Sequence, residues 1–259
     1  MKIGRSRNIP IAFSLPVAER RRLLLTPDRL TAAGTVLLTT EEQHYLRRVL
    51  RLRCGDRLDV IDGVGRLTVA TLVEPQLVAL DTSTQQIEPL AQPQLGLAVA
   101  LMRRGMDELI RMACELGIDR IQPLRSERCV PQAEHRPERW ASIMREAVEQ
   151  CERSWLPQLL DLKDLSQWIA DERGQRLVGV TRETSPPALD QWLRHQADPV
   201  QLTWLMVGPE GGWTEEELKQ FTKAEIQPVQ MGSTILRSST AAVAGAVELV
   251  RWRDRLISS

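Results

Sequence analysis

Apolar and polar positions along the chain follow two different rhythms. Between Arg21 and about Asp81 the apolar runs are short and read as strands: Arg57–Asp62 (RLDVID), Arg66–Leu72 (RLTVATL) and Leu77–Leu80 (LVAL). The first two are joined by Asp62-Gly63, a hairpin turn pair. One helix, from Glu41 to about Leu52, precedes them. This spacing predicts a small β-barrel-like module over residues 21–85, and Thr82–Gln94, polar with two prolines, reads as its linker. From Leu95 the rhythm changes. Leu95–Met102 (LGLAVALM) is a nearly unbroken apolar run, as a strand covered on both faces requires. Met106, Leu109, Ile110, Ala113 and Leu116 then recur at helical spacing, and Gly117 closes that helix. A strand at Ile118–Leu124 follows, then a long helix from Pro137 whose stripe is Trp140, Ile143, Met144, Ala147, Val148 and Cys151. Strands at Arg176–Thr181, Leu202–Val207 and Ile226–Met231 and a last helix from about Thr240 to Trp252 complete the pattern. The alternation predicts an α/β domain over residues 94–259, a mostly parallel sheet with helices on both sides.

Composition narrows the partners. The 259 residues, 42% of them hydrophobic, suffice for two compact domains. Lys plus Arg and Asp plus Glu number 34 each, which excludes a uniformly basic coat; any nucleic acid must meet local basic faces. Those faces are built mainly from arginine, whose planar fork suits phosphate. Cys54, Cys114, Cys129 and Cys151 contain no CxxC pair, and His44, His135 and His195 lie far apart. No metal site is therefore expected, and the thiols read as small apolar side chains in a reducing compartment. No run approaches the about 20 apolar residues of a membrane helix, so a cytoplasmic protein is expected. Residues 1–20 faintly echo a signal peptide, but two prolines interrupt the apolar stretch, and they read as an extension before the first domain.

Two stretches carry chemistry. In Met206–Leu218 (MVGPEGGWTEEEL) a buried strand ends at Val207, a glycine-rich loop follows, and Thr214 with Glu217 forms a capping box that opens a helix. Gly208, Gly211 and Gly212 let backbone approach a ligand closely or take positive φ. A loop beyond the C-terminal end of a strand is where open α/β sheets bind ligands. Neither GxxxxGK[ST] nor GxGxxG is present, and Glu210 with Glu215–Glu217 would repel phosphate. A neutral or cationic ligand such as S-adenosylmethionine fits better than a dinucleotide, which argues against a nicotinamide dehydrogenase. In Met231–Val250 a Gly-Ser-Thr loop and the single Arg237 precede a helix rich in Ala241, Ala242, Ala244, Gly245 and Ala246. Such small residues admit close packing, under a loop or across a dimer interface. Outside these stretches, Arg47, Arg48, Arg51 and Arg53 cluster without an acidic residue, Arg47 and Arg51 at the i, i+4 spacing of one helix face. Arg103, Arg104, Arg125 and Arg128 follow strand ends. Both groups are candidate RNA contacts.

GPEGGWTEEEL and MGSTILRSSTAA, together with His44–Gly65, Arg103–Val130 and Arg139–Leu159, resemble the ribosomal RNA small-subunit methyltransferase E family. These are the 16S rRNA uracil-N3 methyltransferases of the SPOUT superfamily, and the resemblance spans the chain from about Arg21 to its end. It implies a PUA-like RNA-binding barrel followed by a trefoil-knotted α/β domain that forms a homodimer and acts in rRNA processing. It further implies S-adenosylmethionine held by Val207, Gly208, Pro209, Glu210, Gly211, Gly212, Met231, Gly232, Ile235, Leu236 and Arg237, with Ile235 and Leu236 flanking the adenine. The substrate would be one uridine of 16S rRNA in the small ribosomal subunit. Arg237 is the candidate to stabilise charge developing on a uracil carbonyl oxygen, and Glu210 or Ser239 to orient the base. The chain departs from the family pattern at three places. Ser239 stands where a Glu is usual, so a catalytic carboxylate is not carried over to it; Arg111-Met112 replaces Gln-Lys, and Trp155 replaces a basic residue. Another SPOUT-type RNA methyltransferase, or a catalytically silent RNA-binding assembly factor, remains the alternative.

Overall fold

In the computed structural model, which describes residues 21–30, 34–181, 186–196 and 200–258, each rhythm of the sequence builds its own sheet. The expected extension, residues 1–20, lies outside the described residues. The first sheet comes from β1 (Arg22–Leu24), α1 (Pro27–Leu30), β2 (Thr35–Leu37), α2 (Thr40–His44), β3 (Arg57–Ile61), β4 (Arg66–Glu74) and β5 (Leu77–Ile87). Its strand order is β1-β3-β4-β5-β2, antiparallel except where β1 joins β3 in parallel. Both edge strands feed one core, since Leu23 of β1 and Val36 of β2 are buried with Leu58, Val60, Leu72 and Val78, as in a sheet curled on itself. The expected hairpin at Asp62-Gly63 is present. Asp62 Oδ1 accepts from the backbone N–H groups of Val64 and Arg66, both at 2.9 Å, which is why an aspartate opens that turn.

Two expectations for this module are corrected. The helix read over 41–52 ends at His44, and Tyr45–Val49 form a π-helical turn. The Leu50 N–H reaches Tyr45 O at 3.0 Å, and Arg51 takes the left-handed φ of 58°. Leu46, Leu50 and Leu52 all pack on the barrel core. Leu46 and Leu50, four apart, share one face of the helical segment, and Leu52 reaches the same core because the segment stops at Leu50 and the left-handed Arg51 turns the chain back. Arg47 and Arg51 therefore do not share a helix face. The second correction is the linker: Thr82–Ile87 belong to β5, where Thr82–Gln85 bulge between Val69↔Asp81 and Leu67↔Gln86 and the pairing with β4 then resumes as far as Arg66↔Ile87. Their polarity reflects an exposed strand face rather than a loop.

The second sheet comes from β6 (Gln94–Ala100), α3 (Met106–Leu116), β7 (Arg120–Arg125), α4 (Pro137–Gln150), β8 (Gln158–Leu159), β9 (Lys163–Asp164), α5 (Leu165–Asp171), β10 (Gln175–Gly179), α6 (Leu189–Arg194), β11 (Leu202–Val207), α7 (Glu215–Lys223), β12 (Gln227–Val229) and α8 (Ser238–Ile257). The strands are all parallel, in the order β12-β10-β11-β6-β7-β8, with β9 also on β7. Alternate residues of one strand serve opposite faces. Leu97, Val99, Leu205 and Val207 pack under α3, α4, α6 and α8, while Ala98, Trp204 and Met206 pack under α5 and α7. The small residues of α8 serve this packing: a Cβ on Gly245 would lie 2.1 Å from Leu205 Cδ2. No helix among the described residues is long and apolar enough to cross a membrane.

The two sheets meet along α4. Glu149 Oε1 accepts from the Leu24 N–H at 2.9 Å, and burial pushes the Glu149 carboxyl up against the opposing pull of that bond and of Arg145. Trp155, at the position where the family pattern has a basic residue, lies against Gly65 and donates from Nε1 to Glu88 O at 2.9 Å. It fills the seam between the domains.

Candidate functional site

β12, β10 and β11 are neighbours in the sheet, so their carboxyl ends bring three loops together at one edge. Between the loops lies a cleft of about 410 Å³. Val207, Gly208, Pro209, Glu210, Gly211 and Gly212 line it from one side and Met231, Ile235, Leu236 and Arg237 from another. Gly232 lines an adjoining recess of about 120 Å³ that shares Met231, Ile235 and Leu236. The third wall, Gly179, Val180 and Thr181 at the end of β10, escapes the sequence reading, as do Trp213, Ser238 and Ala241. The run RLVGVT signals a strand, but nothing in it says that this strand lies between β11 and β12.

Local chemistry shapes the first loop. Gly212 has φ +69°, and its N–H closes a turn onto Pro209 O at 2.9 Å. Gly208 is a glycine for a different reason: a Cβ there would lie 3.0 Å from Trp213 Cε2. The Trp213 ring meets Phe221 edge-on at 5.0 Å, and its Nε1 donates to Gly179 O at 3.0 Å, tying the β11 loop to the end of β10. The expected capping box is formed, with Thr214 Oγ1 accepting from Glu217 N–H at 3.2 Å and Glu217 Oε2 from Thr214 N–H at 2.8 Å. Glu217 is buried and its Oε1 also accepts from the Glu127 N–H at 2.9 Å. The second loop differs. Among the described residues, the peptide N–H groups of Gly232–Leu236 have no backbone partner, while Ile235 and Leu236 present apolar side chains.

The three catalytic candidates are placed differently. Arg237 is exposed at the cleft and is the N-cap residue of α8. Glu210 lies at the rim, its Oε1 accepting from the Arg103 N–H at 3.0 Å. Ser239 is not on the cleft wall; it faces the turn that starts α3, its Cβ 3.9 Å from where a Cβ on Gly105 would be. Of the candidate RNA contacts, Arg47, Arg48, Arg51 and Arg53 are exposed on the barrel, and among the described residues their guanidinium groups pair with no carboxylate; Asp56 instead accepts from the Arg53 backbone N–H at 2.7 Å. Arg103 and Arg104 are exposed beyond β6, and Arg125 pairs loosely with Asp164 at 3.9 Å. Arg128 turns to the cleft instead, donating from Nη1 to Gly211 O at 2.9 Å.

The family model of an RNA methyltransferase domain matches residues 89–249, and that of an RNA methyltransferase PUA domain matches residues 38–78. The chain is 38% identical over 256 residues to ribosomal RNA small subunit methyltransferase E of Synechocystis sp., covering 93% of this chain and 83% of that one. It is 30% identical to the enzyme of that name from Mycobacterium tuberculosis, covering 89% and 93%. Among solved structures, ribosomal RNA small subunit methyltransferase E of Neisseria gonorrhoeae bound to S-adenosyl methionine superposes with a TM-score of 0.75 at 28% identity, covering 89% of this chain and 97% of that one.

Proposed function

The chain belongs to the ribosomal RNA small subunit methyltransferase E family, and from that premise we propose that it transfers a methyl group from S-adenosylmethionine to N3 of one uridine in the 16S rRNA of the small ribosomal subunit. The observation that carries this reading is the convergence of the β10, β11 and β12 loops on one cleft with Arg237 at its mouth. Its residues fit the methyl donor. Ile235, Leu236 and Ala241 offer apolar contact to a flat ring, the peptide N–H groups of Gly232–Leu236, without a backbone partner among the described residues, offer donors, and Glu210 offers a negative charge near a cation. When bound, S-adenosylmethionine supplies a methyl group made electrophilic by its sulfonium.

The protein's own residues have three tasks. Uracil N3 carries a proton and is a poor nucleophile while neutral, so the site must favour its loss and hold N3 in line. Arg237 is assigned to the carbonyl oxygen on which negative charge then develops, and Glu210 to orienting the base; Ser239, which faces the turn before α3, is left without that role. N3 is buried in a Watson–Crick pair, so the target uridine must be unpaired or turned out of its stack. Arg47, Arg48, Arg51 and Arg53 on the barrel, with Arg103, Arg104 and Arg125 beside the strand ends, would hold RNA phosphates. The trefoil knot, a homodimer and a cytoplasmic location belong to the same reading.

Transfer of labelled methyl to small subunits lacking the uridine-N3 mark, with the product mapped by nucleoside mass spectrometry, tests it. A single new 3-methyluridine in 16S rRNA is the expected result. Cofactor binding without that transfer would point to a different RNA target, and no binding at all to a silent RNA-binding factor.

A further inference from the structure

The loop that walls the cleft is gripped from outside by the segment that follows β7. Arg128 Nη1 donates to Gly211 O at 2.9 Å and to Trp213 O at 3.1 Å. The stem of the same side chain lies along the glycine: a Cβ on Gly211 would sit 3.1 Å from Arg128 Cβ and 3.4 Å from its Cδ. Gly211 thus leaves room for the arginine that crosses it, although its spacing in sequence suggests close approach of a ligand. The grip is itself anchored. Cys129 Sγ donates to Leu101 O at 3.3 Å, fastening the segment to the end of β6, and the Glu127 N–H holds buried Glu217 at the start of α7.

Sequence position groups Arg128 with the RNA contacts, because it follows a strand end beside Arg125. The geometry points to other work. Pro209–Gly212 contain one internal backbone hydrogen bond, from the Gly212 N–H to Pro209 O. A turn with so little internal support must be ordered by something else, or ordered by the ligand at a cost in affinity. A guanidinium across two carbonyl oxygens supplies that order with charge-assisted bonds. We propose that Arg128 is a positioning residue of the methyl-donor site, holding the Pro209–Trp213 turn in the shape that receives S-adenosylmethionine, and that it is not an RNA-phosphate contact. This rests on the reading of the cleft given above.

The test uses the full chain as wild type, Arg128→Ala and Arg128→Lys. Calorimetric titration with S-adenosylmethionine gives the cofactor Kd, and the salt dependence of binding to a 16S rRNA fragment counts phosphate contacts. Arg128→Ala should weaken cofactor binding about tenfold, about 1.4 kcal/mol. Arg128→Lys, which keeps a charged donor but loses the planar group that places Nη1 between the two carbonyl oxygens, should fall between. KM for the cofactor should rise while kcat stays within about twofold, a split that general loss of structure would not produce. The slope of log Kd for RNA against log salt should not change. A cofactor Kd within about twofold of wild type in both variants would overturn the proposal, and so would an RNA salt slope shallower by about 0.7 or more, the signature of one lost phosphate contact. If Arg128→Ala does not fold, Arg128→Gln, which also removes the charge, decides by the same criteria. Failure of the wild-type chain to bind S-adenosylmethionine would sink the reading of the cleft, and this proposal with it.

Discussion

Asp119→Ala should be among the most damaging single substitutions in the protein, although Asp119 lies at the edge of the parallel sheet opposite the cleft. Its Oδ2 accepts from the Leu95 N–H at 2.8 Å and from Arg253 Nη1 at 2.5 Å, and its Oδ1 faces Arg153 Nη2 at 3.2 Å. The paired Asp119 and Arg253 side chains are each 7% exposed. Arg253 Nη2 also donates to Gly117 O, and Arg153 Nη1 to Cys114 O and Ile118 O, all at 2.8 Å. One carboxylate thus fastens the C-terminal half of α8 to the end of α3, the start of β6 and the segment after α4. Removing it strands buried cations, which costs about 3–5 kcal/mol. The orphaned Leu95 amide costs about 1–3 kcal/mol if counted separately. The two losses share a site and will not add fully, so about 4–5 kcal/mol is expected. Against a total stability of about 5–15 kcal/mol that is a large share. At roughly 2–4 °C per kcal/mol for a chain of this size, Tm should fall by roughly 8–20 °C. Urea unfolding followed by circular dichroism measures the loss. Adding Arg253→Met to Asp119→Ala should recover part of it, because the stranded charge is then gone. A loss below about 1 kcal/mol, the range of exposed ion pairs, would refute the argument, as would a double variant that loses the sum of its singles.

Other substitutions address the site and the seam. Arg237→Ala should lower kcat by about 100-fold or more while the cofactor Kd moves by less than about threefold; equal losses in both would make Arg237 a binding residue. Gly208→Ala places a Cβ 3.0 Å from the Trp213 ring, so stability should fall by about 1–3 kcal/mol and cofactor affinity with it. Unchanged cofactor affinity in a folded Gly208→Ala would show that the loop tolerates displacement of Trp213. Burial raises the Glu149 carboxyl, so the folded state keeps this proton to higher pH than the unfolded state does. The seam is therefore strongest in acid and weakens as pH rises through the raised value. Glu149→Gln, which can still accept from the Leu24 N–H, should raise Tm at neutral pH, with the gain vanishing in acid. A gain that ignores pH, or none at neutral pH, would count against that account.

The parts of the site that were legible in the sequence are those whose physics is complete within a few residues. The Thr214–Glu217 capping box, the Asp62 turn and the helical stripes of α3 and α4 each rest on contacts two to four positions apart. The two-sided strands announce themselves as unbroken apolar runs. GPEGG and the Gly-Ser-Thr loop mark where strands stop, and so where a cleft can open. The family motifs add the cofactor and the substrate, which periodicity alone does not supply. The sequence by itself thus determined an α/β domain, a hairpin-built barrel and the two loops that matter. Tertiary structure alone decided which strands are neighbours, and with that Thr181 became the third wall of the cleft. It also decided that Leu46, Leu50 and Leu52 must all face one core, which stopped the helix at Leu50, turned the chain at Arg51 and took Arg51 off the face of Arg47. Trp155 in the domain seam and Arg128 on Gly211, 83 residues away, follow the same logic. A local pattern constrains dihedral angles and which face is apolar. It carries no record of partners that only the folding of the whole chain brings within bonding distance.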